Sequence, residues 1–371
     1  MIKEILAQKN LPELLTHNDG TKVTAESWER RRFELIDMLS EYEYGRMPET
    51  PEEIKVEETA KTAIAAGNAI RYELKITFPT PNEGEFSFPA ILNVPAYADE
   101  KMPLMVYIAF RYNEFYPLEE ILEKGIAVAS FIYTDVAADH EDNYKTGIAP
   151  HYIKDGVREP DQWGKIGMWA FAASRVLDAV LQKYDFVDTE RIGVIGHSRL
   201  GKTAAWAGAN DTRFTHVFPN NSGCSGIALT RGKVGETFPR IAKVFPYWFC
   251  ENMLPISATI ETSENTPFDQ HFLTAAVAPR KLYAGSALKD SWADCYAEYL
   301  CLKAASPAWE LLGKDGFSAP DYLPQPGDFC ISGNLAYHLR DGIHYLSRFD
   351  WMCYVDYLIG DNGYDDDSLP F

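Results

Sequence analysis

From residue 104 to residue 195, short continuous apolar runs alternate with longer segments whose apolar positions recur every three or four residues. The runs 104–109, 126–132 and 192–195 are short and apolar on both faces, which predicts strands buried from both sides. Between them, 118–124 and 167–182 carry the helical period. Strand alternating with helix implies a mainly parallel sheet covered on both faces, a three-layer αβα sandwich. Upstream, 69–78 and 86–94 are β-patterned and flank Pro79-Thr-Pro-Asn-Glu-Gly84, which predicts a hairpin forming an antiparallel edge. Downstream, 214–219, 280–286 and 329–332 predict further strands, followed by a loop carrying His338 and His344 and a closing helix over 349–359.

The first 60 residues read as helices and polar turns, with 27–42 the best helical run and Met47-Pro-Glu-Thr-Pro51 a connection. They are expected to form an N-terminal extension packed on a main domain of residues 61–371. Residues 220–279 are aromatic and broken by glycine and proline, which predicts a cap or substrate-binding insertion. No internal repeat is present.

Composition narrows the partners. A formal charge of −19 disfavours nucleic acid and anionic membrane surfaces. Aromatic residues make up 13% of the chain, enough for a filled core and for clefts that stack flat groups. Charges interrupt the first apolar run and no stretch reaches membrane-spanning length, so a cytoplasmic location is expected unless a leader has been removed. Six scattered cysteines lack metal-ligand spacing and read as reduced thiols, and the acidic stretch 361–368 reads as a solvated end.

The candidate chemistry centres on Arg191-Ile-Gly-Val-Ile-Gly-His-Ser-Arg-Leu200, an apolar strand running into a small-residue turn with one serine. Ser198 would stand between the strand and a helix, as the nucleophile does in an α/β-hydrolase. Leu200 stands at the second glycine of the common Gly-x-Ser-x-Gly elbow, with Gly201 one residue late. The competing reading is a serine that only caps the helix. A serine hydroxyl needs a base and a group that orients it, in the chain order serine, acid, histidine. His344, after the last strand, is the preferred base, with His338 the near alternative. Asp290, just after the strand 280–286, is the preferred acid; Asp294 is the alternative, and its simpler role is a helix N-cap. The backbone N–H of Arg199 is expected to stabilise an oxyanion, and its guanidinium to add a charged donor where the helix terminus otherwise disfavours a cation.

These residues resemble the glucuronoyl esterases of carbohydrate esterase family 15 and their bacterial acetylxylan esterase-like relatives, over roughly residues 163–351. The matching stretches are Gly196-His-Ser-Arg-Leu-Gly-Lys202, Asn220-Asn-Ser-Gly-Cys-Ser-Gly226, Gly235-Glu-Thr-Phe238, Asp269-Gln-His271, Ala278-Pro-Arg280 and Asp290-Ser-Trp-Ala293. The resemblance implies that Arg199 supports the oxyanion, that Lys202 and Glu236 bind sugar hydroxyls, and that Trp292 contacts the ring. Two departures stand out. Asn221 lies where many members carry an acidic glutamate, which transfers the acid to Asp290, and His197 replaces a cysteine often found before the serine.

The expected function is therefore serine-dependent hydrolysis of a carbohydrate ester, foremost a glucuronoyl ester, through an acyl-enzyme and without metal or cofactor. The alternatives are deacetylation of xylo-oligosaccharides, with the sugar on the alcohol side, and a non-catalytic carbohydrate-binding descendant of the fold. Asp139-His-Glu-Asp142 contains metal-ligand types at the wrong spacing and reads as an acidic loop, and Asp269-Gln-His271 reads as structural.

Overall fold

The computed structural model describes residues 1–82, 84–97, 101–112 and 114–360, so the acidic stretch 361–368 lies outside the described residues. Two helices open the chain, α1 (Ile2–Gln8) and α2 (Trp28–Leu39). On α2, Trp28, Leu35 and Leu39 share one buried face. Three strands follow, β1 (Lys55–Ile64), β2 (Ala69–Thr80) and β3 (Gly84–Pro95). Alternation then begins with β4 (Met102–Ala109), α3 (Leu118–Glu123), β5 (Ala127–Ile132), α4 (Lys165–Lys183), β6 (Val187–His197), α5 (Arg199–Asn210) and β7 (His216–Asn220). The chain continues through α6 (Phe238–Val244), β8 (Lys281–Ala287), α7 (Cys295–Ala305), β9 (Phe329–Cys330), β10 (Leu335–Arg340) and α8 (Arg348–Ile359).

Among the described residues these strands form one sheet in the order β1-β2-β3-β5-β4-β6-β7-β8-β10-β9. The interior pairs from β5 to β10 are parallel, whereas β1, β2, β3 and β5 pair antiparallel, as do β9 and β10. Strand β7 shows why there are three layers. Val217 packs where Gly208 of α5 has no side chain, and the ring of Phe218 lies 5.0 Å from that of Tyr354 on α8. Neighbouring strand residues point to opposite faces, so α5 and α8 cover opposite sides of the sheet.

The expected hairpin, interior strands and closing helix are present, with three corrections. The boundary expected at residue 60 falls inside β1, an edge strand that sequence patterning missed because it is largely exposed and has no apolar face. The expected loop carrying His338 is instead β10, with His338 in its interior and fully buried. The strand expected at 329–332 shortens to the two residues of β9. All six cysteines are buried, and none forms a disulfide.

Candidate active site

Strand β6 ends at His197 and α5 begins at Arg199, which leaves Ser198 alone on the turn with φ 60° and ψ −125°. Such a backbone costs a non-glycine residue about 1–3 kcal/mol and persists only where its surroundings impose it. Here the Ser198 N–H donates to the Asn220 carbonyl at the end of β7, and the Lys202 N–H to the Ser198 carbonyl, both at 3.0 Å. A side chain at Gly196 would come within 2.1 Å of the Leu200 carbonyl oxygen, and one at Gly201 within 2.8 Å of the Asn220 carbonyl oxygen. The late second glycine is thus explained: it is needed where α5 passes the end of β7. Ser198 makes no side-chain capping bond, so the simple helix-cap reading fails.

Ser198 lines a cleft of about 240 Å³ together with Arg199, Lys202, Glu236, Trp292 and His344, and with Phe245 and Trp248 from the segment expected to be a cap. His344 sits in the loop between β10 and α8, and its Nδ1 is hydrogen-bonded to Oδ2 of Asp290. The Ala293 N–H donates to the other Asp290 oxygen at 3.1 Å. Burial pushes the Asp290 pKa up, but the hydrogen bond and charge of His344 and the Ala293 N–H outweigh it and hold the carboxyl below its ordinary value. Nδ1 is occupied, so Nε2 is the nitrogen left to act on the cleft. Ser198 and His344 share the cleft without a formed hydrogen bond between them; such bonds commonly tighten when substrate binds. The His197 ring lies 4.4 Å from that of His344 and is tied to Asn220 Oδ1 at 2.7 Å. Burial, with the charge of His344, pushes its pKa down to about 4, which keeps His197 neutral beside the base.

The guanidinium of Arg199 lies among the rings of Phe110, Trp248 and Phe245, at 5.7, 5.1 and 5.9 Å, and Nη1 pairs with Asp139. Its Nε is buried and has no hydrogen-bond partner among the described residues. Asp139 also accepts from Trp248 Nε1 at 2.7 Å and from the Tyr133 hydroxyl at 2.8 Å. Deeper in the cleft, Lys202 Nζ donates to the Ser222 carbonyl at 2.7 Å and to Glu236 Oε2 at 3.1 Å. An ammonium has three N–H donors, so one remains. The Glu236 N–H in turn donates to the Trp292 carbonyl at 2.9 Å. Trp292 is 43% exposed, and the Arg240 guanidinium lies 4.9 Å from its ring centroid.

The fold thus brings together Ser198, Arg199, Lys202, Glu236, Asp290, Trp292 and His344. It does not bring the two alternatives there. Asp294 caps α7, accepting from the Ala297 N–H at 3.2 Å, and also accepts from the Val234 N–H at 2.9 Å. His338 is bonded to the Tyr283 hydroxyl at 2.9 Å and to Asp350 at 2.8 Å. Asn221 accepts from the Ala287 N–H and donates to Asn220, so it braces the strand ends. The acidic run 139–142 is a loop, as expected, but sequence reasoning missed that its Asp139 belongs to the site, and it also missed Trp248. In the same run Asp142 accepts from Lys165 at 2.8 Å. Asp269 receives Thr230 and Arg231, as a structural residue would. Among the described residues no three His, Cys, Asp or Glu side chains are arranged to hold a metal ion.

The family model described as glucuronyl esterase, fungi, matches residues 64–313. The chain belongs to the glucuronoyl esterase family. Carbohydrate esterase MZ0003, from an unknown prokaryotic organism, is 32% identical to it over 94% of this chain and 88% of its own. The solved structure of a glucuronoyl esterase from Solibacter usitatus superposes with a TM-score of 0.86 at 31% identity, covering 95% of this chain and 98% of that one. The 4-O-methyl-glucuronoyl methylesterase of Hypocrea jecorina is 28% identical over 82% of this chain, which spans 62% of that relative's length. As a glucuronoyl esterase family member the protein has an α/β-hydrolase fold and is a carboxylic-ester hydrolase.

Proposed function

We propose that this protein hydrolyses the carboxylic ester of a glucuronoyl residue, such as a methyl 4-O-methyl-glucuronate, through an acyl-enzyme on Ser198. The observation that carries this reading is Ser198 on a strained, non-capping turn, in the same cleft as a histidine whose Nδ1 is held by Asp290. His344 Nε2 takes the Ser198 proton as Oγ attacks the ester carbonyl, and Asp290 holds the imidazolium that forms. The developing oxyanion meets the Arg199 N–H, which opens α5 and has no acceptor within the helix, and the free Nε of the same residue. His344 returns the proton to the leaving alcohol, then activates the water that releases the uronic acid.

The sugar lies on the acyl side. The third N–H of Lys202 donates to a ring hydroxyl and the free oxygen of Glu236 accepts from one, while the exposed face of Trp292 packs on the ring. The names of relatives such as the Hypocrea jecorina methylesterase support the choice of ester.

The test is turnover of methyl 4-O-methyl-glucuronate beside an acetylated xylo-oligosaccharide, with wild-type protein and Ser198→Ala. Serine-dependent hydrolysis of the uronate ester is expected. Preference for the acetylated sugar moves the activity to deacetylation, and turnover that survives Ser198→Ala overturns the acyl-enzyme.

A further inference from the structure

A second cavity, of about 300 Å³, lies over the sheet face formed by β2, β3, β5 and β4, beside residues 111–112, 114–116 and 118. It shares no lining residue with the catalytic cleft. Arg71 and Asn93 stand opposite each other in the β2–β3 register and therefore on the same face. The Arg71 Nε donates to Asn93 Oδ1 at 3.0 Å. Asn93 is 1% exposed, and its Nδ2 has no hydrogen-bond partner among the described residues. An unpaired buried amide donor is costly, and a ligand acceptor in the cavity would satisfy it.

Two aromatic side chains of the lining are held by packing. Tyr116 stacks on Trp351 at 5.3 Å, and Tyr107 meets the same indole edge-on at 4.9 Å. Ile91 and Leu118 complete the apolar lining. The lining carries Arg71 and Arg111 against the carboxylate of Glu114, which accepts from the Phe110 N–H at 2.9 Å, and a second carboxylate, Asp135, accepts from the hydroxyl of the lining residue Tyr112. In a chain of formal charge −19, two guanidinium groups thus stand beside an unpaired donor and two aromatic rings. We infer that this cavity is a second binding site, separate from the esterase cleft, that takes a one-ring aromatic carboxylate. The carboxylate accepts from Asn93 Nδ2 and the Arg71 guanidinium, and the ring packs against Tyr107 and Tyr116. The volume lies at the lower end of small-molecule sites and suits a single ring.

The probes are benzoate and 4-hydroxycinnamate, titrated calorimetrically into the full chain, with hexanoate and benzyl alcohol as controls lacking the ring and the charge. Saturable one-to-one binding is expected, about tenfold tighter for the aryl carboxylates than for either control. Asn93→Leu should weaken it about tenfold, Ile91→Trp should abolish it by filling a half-exposed wall, and Ser198→Ala should leave it unchanged. Ile91 is only half-buried, so this variant keeps the test alive if Asn93→Leu does not fold. No saturable binding to wild type, binding that survives Ile91→Trp, or equal affinity for hexanoate overturns the inference.

Discussion

Asp139 grips Arg199 across 60 residues of chain, and its other oxygen accepts the indole N–H of Trp248 at 2.7 Å. One buried carboxylate thereby fixes both the cation beside Ser198 and an aromatic wall of the cleft. Asp139→Asn keeps an acceptor for Trp248 but loses the charge that anchors Arg199. The expected result is a fall in kcat of about 10²-fold, of the size seen when one oxyanion donor is removed, with KM little changed. Steady-state kinetics on the uronate ester check it. A loss below threefold would mean that Arg199 reaches the oxyanion without its anchor.

Two nearby aspartates should separate cleanly. Asp290→Asn removes the partner of His344 Nδ1 and is expected to lower kcat by about 10⁴-fold while the fold persists. Asp294→Ala removes a helix cap and should cost about 1 kcal/mol of stability with turnover nearly intact. Kinetics and denaturant melts on the same two proteins decide the matter, and the reverse pattern would transfer the acid to Asp294.

The legibility of these features followed from where each residue is buried. Strand β4 was readable because all its residues are buried, so its apolar run stands out. Strand β1 was not, since Lys55, Glu57, Glu58 and Lys61 leave it without an apolar face and only pairing with β2 makes it a strand. His338 is flanked by Tyr337 and Leu339 in a buried strand, but a histidine carries no β signal and leaves no continuous apolar run to mark the strand. Ser198, Asp290 and His344 were legible because each follows a strand and their chain order is that of the chemistry. Asp139 was hidden: nothing local distinguishes it from Asp142, and its partners Arg199 and Trp248 are distant in the chain.

Acid should weaken the fold partly through His216. Its ring is buried at the start of β7, with Nε2 unpartnered, and burial, reinforced by Lys281 and Arg191, pushes its pKa from 6.5 down to about 3. The native state therefore keeps it neutral while the unfolded chain takes up a proton near 6.5. This contribution to stability is complete above pH 6.5 and is lost progressively as pH falls toward 3. His216→Phe retains packing against Phe218 and Tyr357 and removes the titration. Its unfolding free energy should depend less steeply on pH between 6 and 4, by about 1.4 kcal/mol per pH unit. Denaturant melts of both proteins across that range measure the difference, and parallel slopes would show that His216 is protonated in the native state.

Lys202 and Glu236 are 3% and 5% exposed, so each neutralises a charge that the other would leave buried. Removing either alone should cost about 3–5 kcal/mol, whereas replacing both by apolar side chains of similar size is expected to be close to neutral. Stability and recognition can then be told apart. Lys202→Met and Glu236→Leu singly should lower the melting temperature, and the double variant should recover most of it. If the pair also binds the sugar, the double variant will still turn over the uronate ester at least about tenfold less efficiently in kcat/KM, because two hydrogen bonds to ring hydroxyls are gone. Hydrolysis of a small acyl ester without a sugar should stay near the wild-type rate, since Ser198, His344 and Asp290 are untouched. A double variant that regains both stability and uronate turnover would leave Lys202 and Glu236 with a purely structural role and return sugar recognition to Trp292 and its neighbours.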